Sequence, residues 1–252
     1  MSGFLRLIGK ISRGEDVAVH NRNGRRTLGG RPVRHIGLVH RSATPSVGGA
    51  SVTFTDNSID ATDLTIYTFS AQALGSASSK KTVVGVSGAR AAAGDHTVSG
   101  VTVAGSSATL VKRQSVPTAT RETVELWEVN GITATSGDVV VTWSAGMTCC
   151  GIGVYEVLNA GTSAYATAGS NADPMSVSIE TPSGGVMIGV GKNAGSGTFT
   201  WTNATEQYDE AMDAANEHTG ALSTTAGTVT VTCDPSAAGS DNAMALASWA
   251  SA

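Results

Sequence analysis

The amino-acid sequence predicts an all-β fold, an antiparallel two-sheet β-sandwich of jelly-roll or lectin-like type preceded by an extended basic N-terminal arm. Three observations carry that expectation. From residue 46 onward, short runs alternating apolar and polar residues recur between Gly, Ser, Asn or Asp. Apolar residues almost never recur at helical spacing. The composition, 40% hydrophobic but only 5% aromatic with 31 Gly, is that of small-residue strands and tight turns.

The first element, residues 1–45, reads as the arm. It holds nine basic side chains (Arg6, Lys10, Arg13, Arg22, Arg25, Arg26, Arg31, Arg34, Arg41) against Glu15 and Asp16, a local balance of +7 that leaves −11 for the remainder of a chain of net charge −4. Such an asymmetry suits docking on an acidic surface, and the preference for Arg over Lys favours bidentate contacts. The apolar cluster in MSGFLRLIGKIS is too short and too charged for a signal peptide, and Glu15, Asp16 and the glycine-dense RNGRRTLGGRPVR count against a mitochondrial presequence. The arm has Arg density without aromatic interleaving, so stacking on single-stranded nucleic acid is not expected. Phe4, Leu5, Leu7, Ile8 and Ile11 add an apolar patch, and Val33, Ile36, Leu38 and Val39 could add a strand to a neighbour, so a protein lattice is preferred over DNA as the arm's partner.

The second element, residues 46–252, reads as one sandwich domain. Strand candidates in order are Ala50 to Thr55, Leu64 to Gln72, Thr82 to Gly88, Thr97 to Val103, Ala108 to Gln114, Thr123 to Val129, Gly137 to Trp143 and Cys150 to Val157. After a long loop over 159–174 come Ser176 to Glu180, Gly185 to Gly191, Thr198 to Thr202, Thr228 to Cys233 and Ala243 to Trp249. Ala204 to Glu217 has helical composition and reads as a short surface helix or an irregular loop. No run of about 18 apolar residues is present, so no membrane span is expected.

Side chains capable of chemistry do not form a recognisable catalytic set. Glu206, Asp209, Glu210, Asp213 and Glu217 read as a solvated acidic face, and Glu125 and Glu128 as a poor acid–base pair. Asp56, Asn57, Asp60 and Asp63 lack the spacing and glycine of a calcium loop and read as Asx turns. His96 and His218 read as exposed, no GxSxG elbow occurs, and GVSGARAAAGD has no Walker lysine. Cys149, Cys150 and Cys233 read as buried small hydrophobes. No catalytic residue, metal or cofactor is expected. Trp127 and Trp143 read as core. Trp201 and Trp249, in short or terminal strands, are the candidates for stacking on a glycan.

The runs YTFSAQALGSASSKKTVVGVSG, VSGVTVAGSSATLVKRQ, TVELWEVNG, GDVVVTWSAG, GGVMIGVG and FTWTN, with Trp127, Trp143 and Trp201 as landmarks, resemble a β-sandwich domain of tailed-bacteriophage virion proteins. The resemblance covers roughly residues 64 to 250 and does not include the arm. It implies a head decoration, head fibre or tail-associated protein that is not an enzyme, assembled into a virion in the host cytoplasm. The expected partners are other virion proteins and further copies of the chain. The alternative is a receptor- or glycan-binding adhesin that recognises the host surface.

Overall fold

Which faces of a strand are buried follows from the alternation of its side chains, and in this protein the central strands are buried on both. The computed structural model describes residues 48–252 apart from 91, 93, 95, 117–120 and 238–240; the arm residues Arg6, Lys10, Arg13, Arg22, Arg25, Arg26, Arg31 and Arg34 lie outside the described residues. Strands run in chain order as β1 (Ser51–Asp60), β2 (Leu64–Ala73), β3 (Lys80–Arg90), β4 (Val98–Val103), β5 (Ser106–Ser107), β6 (Thr109–Ser115), β7 (Arg121–Ile132), β8 (Ser136–Met147) and β9 (Cys149–Leu158). They continue as β10 (Ala166–Ser170), β11 (Met175–Thr181), β12 (Val186–Ala194), β13 (Phe199–Thr202), β14 (Thr205–Asp213), β15 (Asn216–Ser223), β16 (Gly227–Pro235) and β17 (Asn242–Trp249). The described residues contain no helix.

The all-β antiparallel architecture is the one expected, but there are four sheets rather than two. Their orders are β2-β8-β4-β5, β1-β9-β3-β7-β6, β10-β17-β12-β15-β14 and β11-β16-β13. Three apolar clusters stack them as four layers in that order. Tyr67, Val101, Val141 and Trp143 of the first outer sheet pack on Val84, Val86, Trp127 and Val154 of the first inner sheet. The other face of that sheet presents Val83, Leu126, Tyr155 and Val157 to Val186, Ile188, Val190, Ala245 and Trp249 of the second inner sheet. Met187, Ala221, Met244 and Leu246 then face Ile179, Phe199, Trp201 and Val231 of the second outer sheet. Burying each Val, Leu or Ile contributes about 1.5–3 kcal/mol, and an inner sheet collects that gain on both faces.

Strand order shows what the four layers are. Mapping β1, β2, β3, β4, β6, β7, β8 and β9 onto β10, β11, β12, β13, β14, β15, β16 and β17 turns the first inner sheet into the second, and the first outer sheet, less β5, into the second outer one. Residues 51–158 and 166–249 are therefore two β-sandwiches of one topology, joined back to back through their inner sheets. The matching turn into β8 and β16 keeps the kinship in sequence, as TSGDVVVT at 135–142 against TAGTVTVT at 225–232. No boundary inside residues 46–252 was legible beforehand, and the two halves form one compact unit.

Two segments differ from expectation. Ala204 to Glu217 is neither helix nor loop but β14, a turn and the start of β15. Bulges between Glu206 and Tyr208 and between Ala211 and Asp213 shift the alternation of β14. Within β14 only Tyr208 and Met212 are buried, with Glu210 between them exposed, a spacing of four that imitates a helix face. The loop over 159–174 contains β10, which pairs with β17 from Ala166 to Ser170.

Candidate functional site

The layer between the two inner sheets is apolar in the middle and polar at both ends. Its closeness depends on glycine. A methyl group at Gly220 would lie 2.6 Å from Tyr208 Cζ, and one at Gly151 would lie 2.7 Å from His218 Nδ1. Bare backbone at these places admits the rings of Tyr208 and His218, which contact each other with centroids 5.0 Å apart.

At one end, Lys81 at the start of β3 continues the inward-facing row of Val83. Its ammonium is paired with the buried carboxylate of Glu128 on β7 and donates to the carbonyl of Thr162 at 3.1 Å. Trp249 crosses the layer from β17, its indole Nε1 donating to Glu128 Oε2 at 2.7 Å and its ring lying 5.6 Å from Lys81 Nζ. Burial lowers the Lys81 pKa, and Glu128 partly restores it. A cleft of about 190 Å³ adjoins this end, lined by Lys80, Lys81, Asn130, Gly131 and Asn159 among others. The Lys80 ammonium is spent on the carbonyls of Gly75, Ala77 and Ala134.

At the other end, Lys192 continues the row Val186, Ile188, Val190 on β12 and is fully buried. Pairing of β12 with β15 sets Lys192 opposite His218 and Ala194 opposite Asn216, so Lys192, His218 and Asn216 share one face. Lys192 Nζ donates to Asn216 Oδ1 at 2.8 Å. Asn216 Nδ2 donates to both oxygens of Asp213, at 2.8 and 2.7 Å. Burial drives Lys192 well below the ordinary lysine pKa, with Asp213 and Asp241 opposing it. Asp213 is held below its ordinary value: burial, its largest influence, would raise it, but the Ala215 amide, Asn216, Cys149 and Lys192 together outweigh that. His218 is fully buried, neither ring nitrogen has a hydrogen-bond partner, and burial, followed by the Lys192 charge, lowers its pKa to about 3.

The residues singled out in the sequence are not placed as the sequence suggested. Trp249 is fully buried, and Trp201 is buried with its Nε1 donating to Thr219 Oγ1 at 2.9 Å. Neither indole offers a face for a sugar to stack on: Trp249 packs between the two inner sheets, and Trp201 packs against the inner sheet of its own sandwich. Glu125 is not solvated but fully buried, accepting from Arg113 Nε at 2.7 Å, Val98 N at 2.9 Å and Trp127 Nε1 at 2.8 Å. Burial pushes its pKa up while these donors oppose the shift. His218, expected at the surface, is interior. Asp209 and Glu217 accept the amides of Phe199 and Gly197, and Asp56 and Asp60 accept those of Ala73 and Thr62. All three cysteines are free and buried. Lys81, Glu128, Lys192 and Asn216 went unnoticed as a set; the available signal was a lysine prolonging an inward-facing apolar row.

Two β-sandwiches sharing a central layer, apolar in the middle and polar at both ends, define the class of protein: a tandem β-sandwich with ionisable side chains built into its interior. Comparison of the chain with protein-family models, with curated proteins and with solved structures gives no match.

Proposed function

We propose that the protein is a non-enzymatic structural component of a phage-like virion, docking through its basic arm on the head or tail and displaying or cementing with its tandem sandwich. The observation that supports this reading is where the ionisable groups go. Glu125, Glu128, Lys81, Lys192 and His218 are all buried, and the carboxylates and lysines among them hold strands and layers together instead of converging on a cleft. A surface depression of about 380 Å³ beside Asp63, Arg90 and Thr148 brings together one acid and one base without a nucleophile oriented by either. The outer face of β11 and β16 is a row of hydroxyls, Ser176 with Thr232 at 3.0 Å and Ser178 with Thr230 at 2.9 Å, a flat polar surface suited to packing against neighbours. Jelly rolls serve viral coats and lectins alike, and fold analogy alone assigns neither role.

The test is binding of the full chain, and of a chain lacking residues 1–43, to purified particles and separately to DNA over a range of salt. The expected result is particle binding by the full chain only, with the truncated body still folded. Particle binding that survives truncation, or an arm that prefers DNA with a steep salt dependence, overturns the reading. The adhesin alternative has lost its two stacking candidates to the interior.

A further inference from the structure

We propose that Lys192 and Asn216 join in an intramolecular isopeptide bond, with Asp213 carrying the protons. The argument starts from placement. The register of β12 against β15 holds the two side chains on one face of adjacent strands, and the 2.8 Å contact between Lys192 Nζ and Asn216 Oδ1 brings the nitrogen to near-attack range of the carboxamide carbon, where reacting atoms lie about 3–3.5 Å apart. Lys192 is fully buried, and a lysine withdrawn from water is readily held as the neutral, nucleophilic amine. Asp213 contacts the group that must leave, both of its oxygens accepting from Asn216 Nδ2. Asn216 and Asp213 are half-buried, at the rim of the layer, so the released product has a way out.

The step balances without any co-reactant. The Lys192 ammonium gives one proton to the Asp213 carboxylate, and the freed amine adds to Cγ of Asn216. The tetrahedral centre collapses with cleavage of the Cγ–Nδ2 bond as Asp213 returns its proton to the departing nitrogen. The second proton shed by Nζ follows it. An ammonium ion leaves, a Lys–Asn amide remains, Asp213 is again a carboxylate, and nothing is oxidised or reduced. The bond ties β12 to β15 across a separation of 24 residues, inside the second inner sheet.

The proposal does not depend on the virion reading. It is tested by the intact mass of the folded full-length chain and by peptide mapping. The expected result is a deficit of one ammonia, located in a branched peptide that contains both Lys192 and Asn216. Lys192→Arg and Asp213→Asn should each show the full mass, and Asn216→Asp should show a deficit of one water instead. A folded wild-type chain of full mass overturns the proposal. So does an ammonia deficit that persists in Lys192→Arg or maps to a linear peptide, the signature of succinimide formation at an asparagine. If a variant fails to fold, the branched peptide from the wild-type chain decides alone.

Discussion

Acid should destabilise this protein through one imidazole. His218 is fully buried, its pKa is lowered from 6.5 to about 3, chiefly by burial, and neither ring nitrogen has a hydrogen-bond partner to receive or share a proton. The unfolded chain therefore binds a proton at this position below pH 6.5 while the folded chain refuses it, and stability falls as pH is lowered through that window toward 3. Well inside the window each pH unit costs about 1.4 kcal/mol; because the unfolded imidazole is already half protonated at 6.5, acidification from pH 6.5 to 4.5 should remove about 2 kcal/mol. Other groups titrate in the same range. Asp213, with a lowered pKa, adds to the loss on the acid side. Glu125, Glu206, Asp209 and Glu217, whose pKa values burial raises, act in the opposite sense, since their stabilising contribution is present at low pH and lost as pH rises. The comparison that isolates His218 is wild type against His218→Leu, in urea unfolding followed by tryptophan fluorescence at several pH values. The wild type should lose about 2 kcal/mol more than the variant between pH 6.5 and 4.5. Parallel pH profiles, or an imidazole that titrates near 6.5 in the folded protein by NMR, would refute the argument.

Glu128→Gln should cost about 3–5 kcal/mol in the same urea assay, because it leaves the buried Lys81 ammonium without its counter-charge; Lys81→Met in the Glu128→Gln background should recover much of that, and a cost below about 1 kcal/mol would mean that the pair is solvated. Gly220→Ala should cost about 1–3 kcal/mol by overpacking, since its methyl meets the Tyr208 ring, whereas Gly100→Ala, where nothing lies within 4 Å, should stay within about 0.5 kcal/mol. Equal effects at the two glycines would show that the inner layer yields to an added methyl.

Strand class and most strand positions were legible because alternation survives wherever one face of a strand meets core and the other meets water. β8 is the clear case, with Val139, Val141 and Trp143 inward and Val140 and Thr142 less buried. The layer count was not legible for the converse reason. In β9, β12 and β17 nearly every residue is buried, so the apolar run carries no period, and nothing in it says that a second sandwich lies beyond. The duplication stayed hidden because the two halves share topology while filling their cores differently: Trp143 of β8 corresponds to Cys233 of β16, and the bulged β14 replaces the plainer β6. The polar ends were missed because Lys192 and Asn216 lie 24 residues apart and meet only through the β12–β15 register.

The two polar ends also answer a question that apolar packing leaves open. Faces built from Val, Ala and Gly fit one another in more than one register, and hydrophobic burial is non-directional. Lys81 and Trp249 mark one end of the layer, while Cys149 and Lys192 mark the other, as the pairing of β3 with β9 and of β12 with β17 shows. At each end the contact crosses from one sandwich to the other: Trp249 of the second reaches Glu128 of the first, and Asp213 of the second acts on Cys149 of the first. Sliding the sandwiches by one residue pair would set Lys81 against apolar side chains and leave Glu128 without the indole, exposing a buried charge to a penalty of several kcal/mol. The apolar middle thus supplies the adhesion and the ionic ends supply the register.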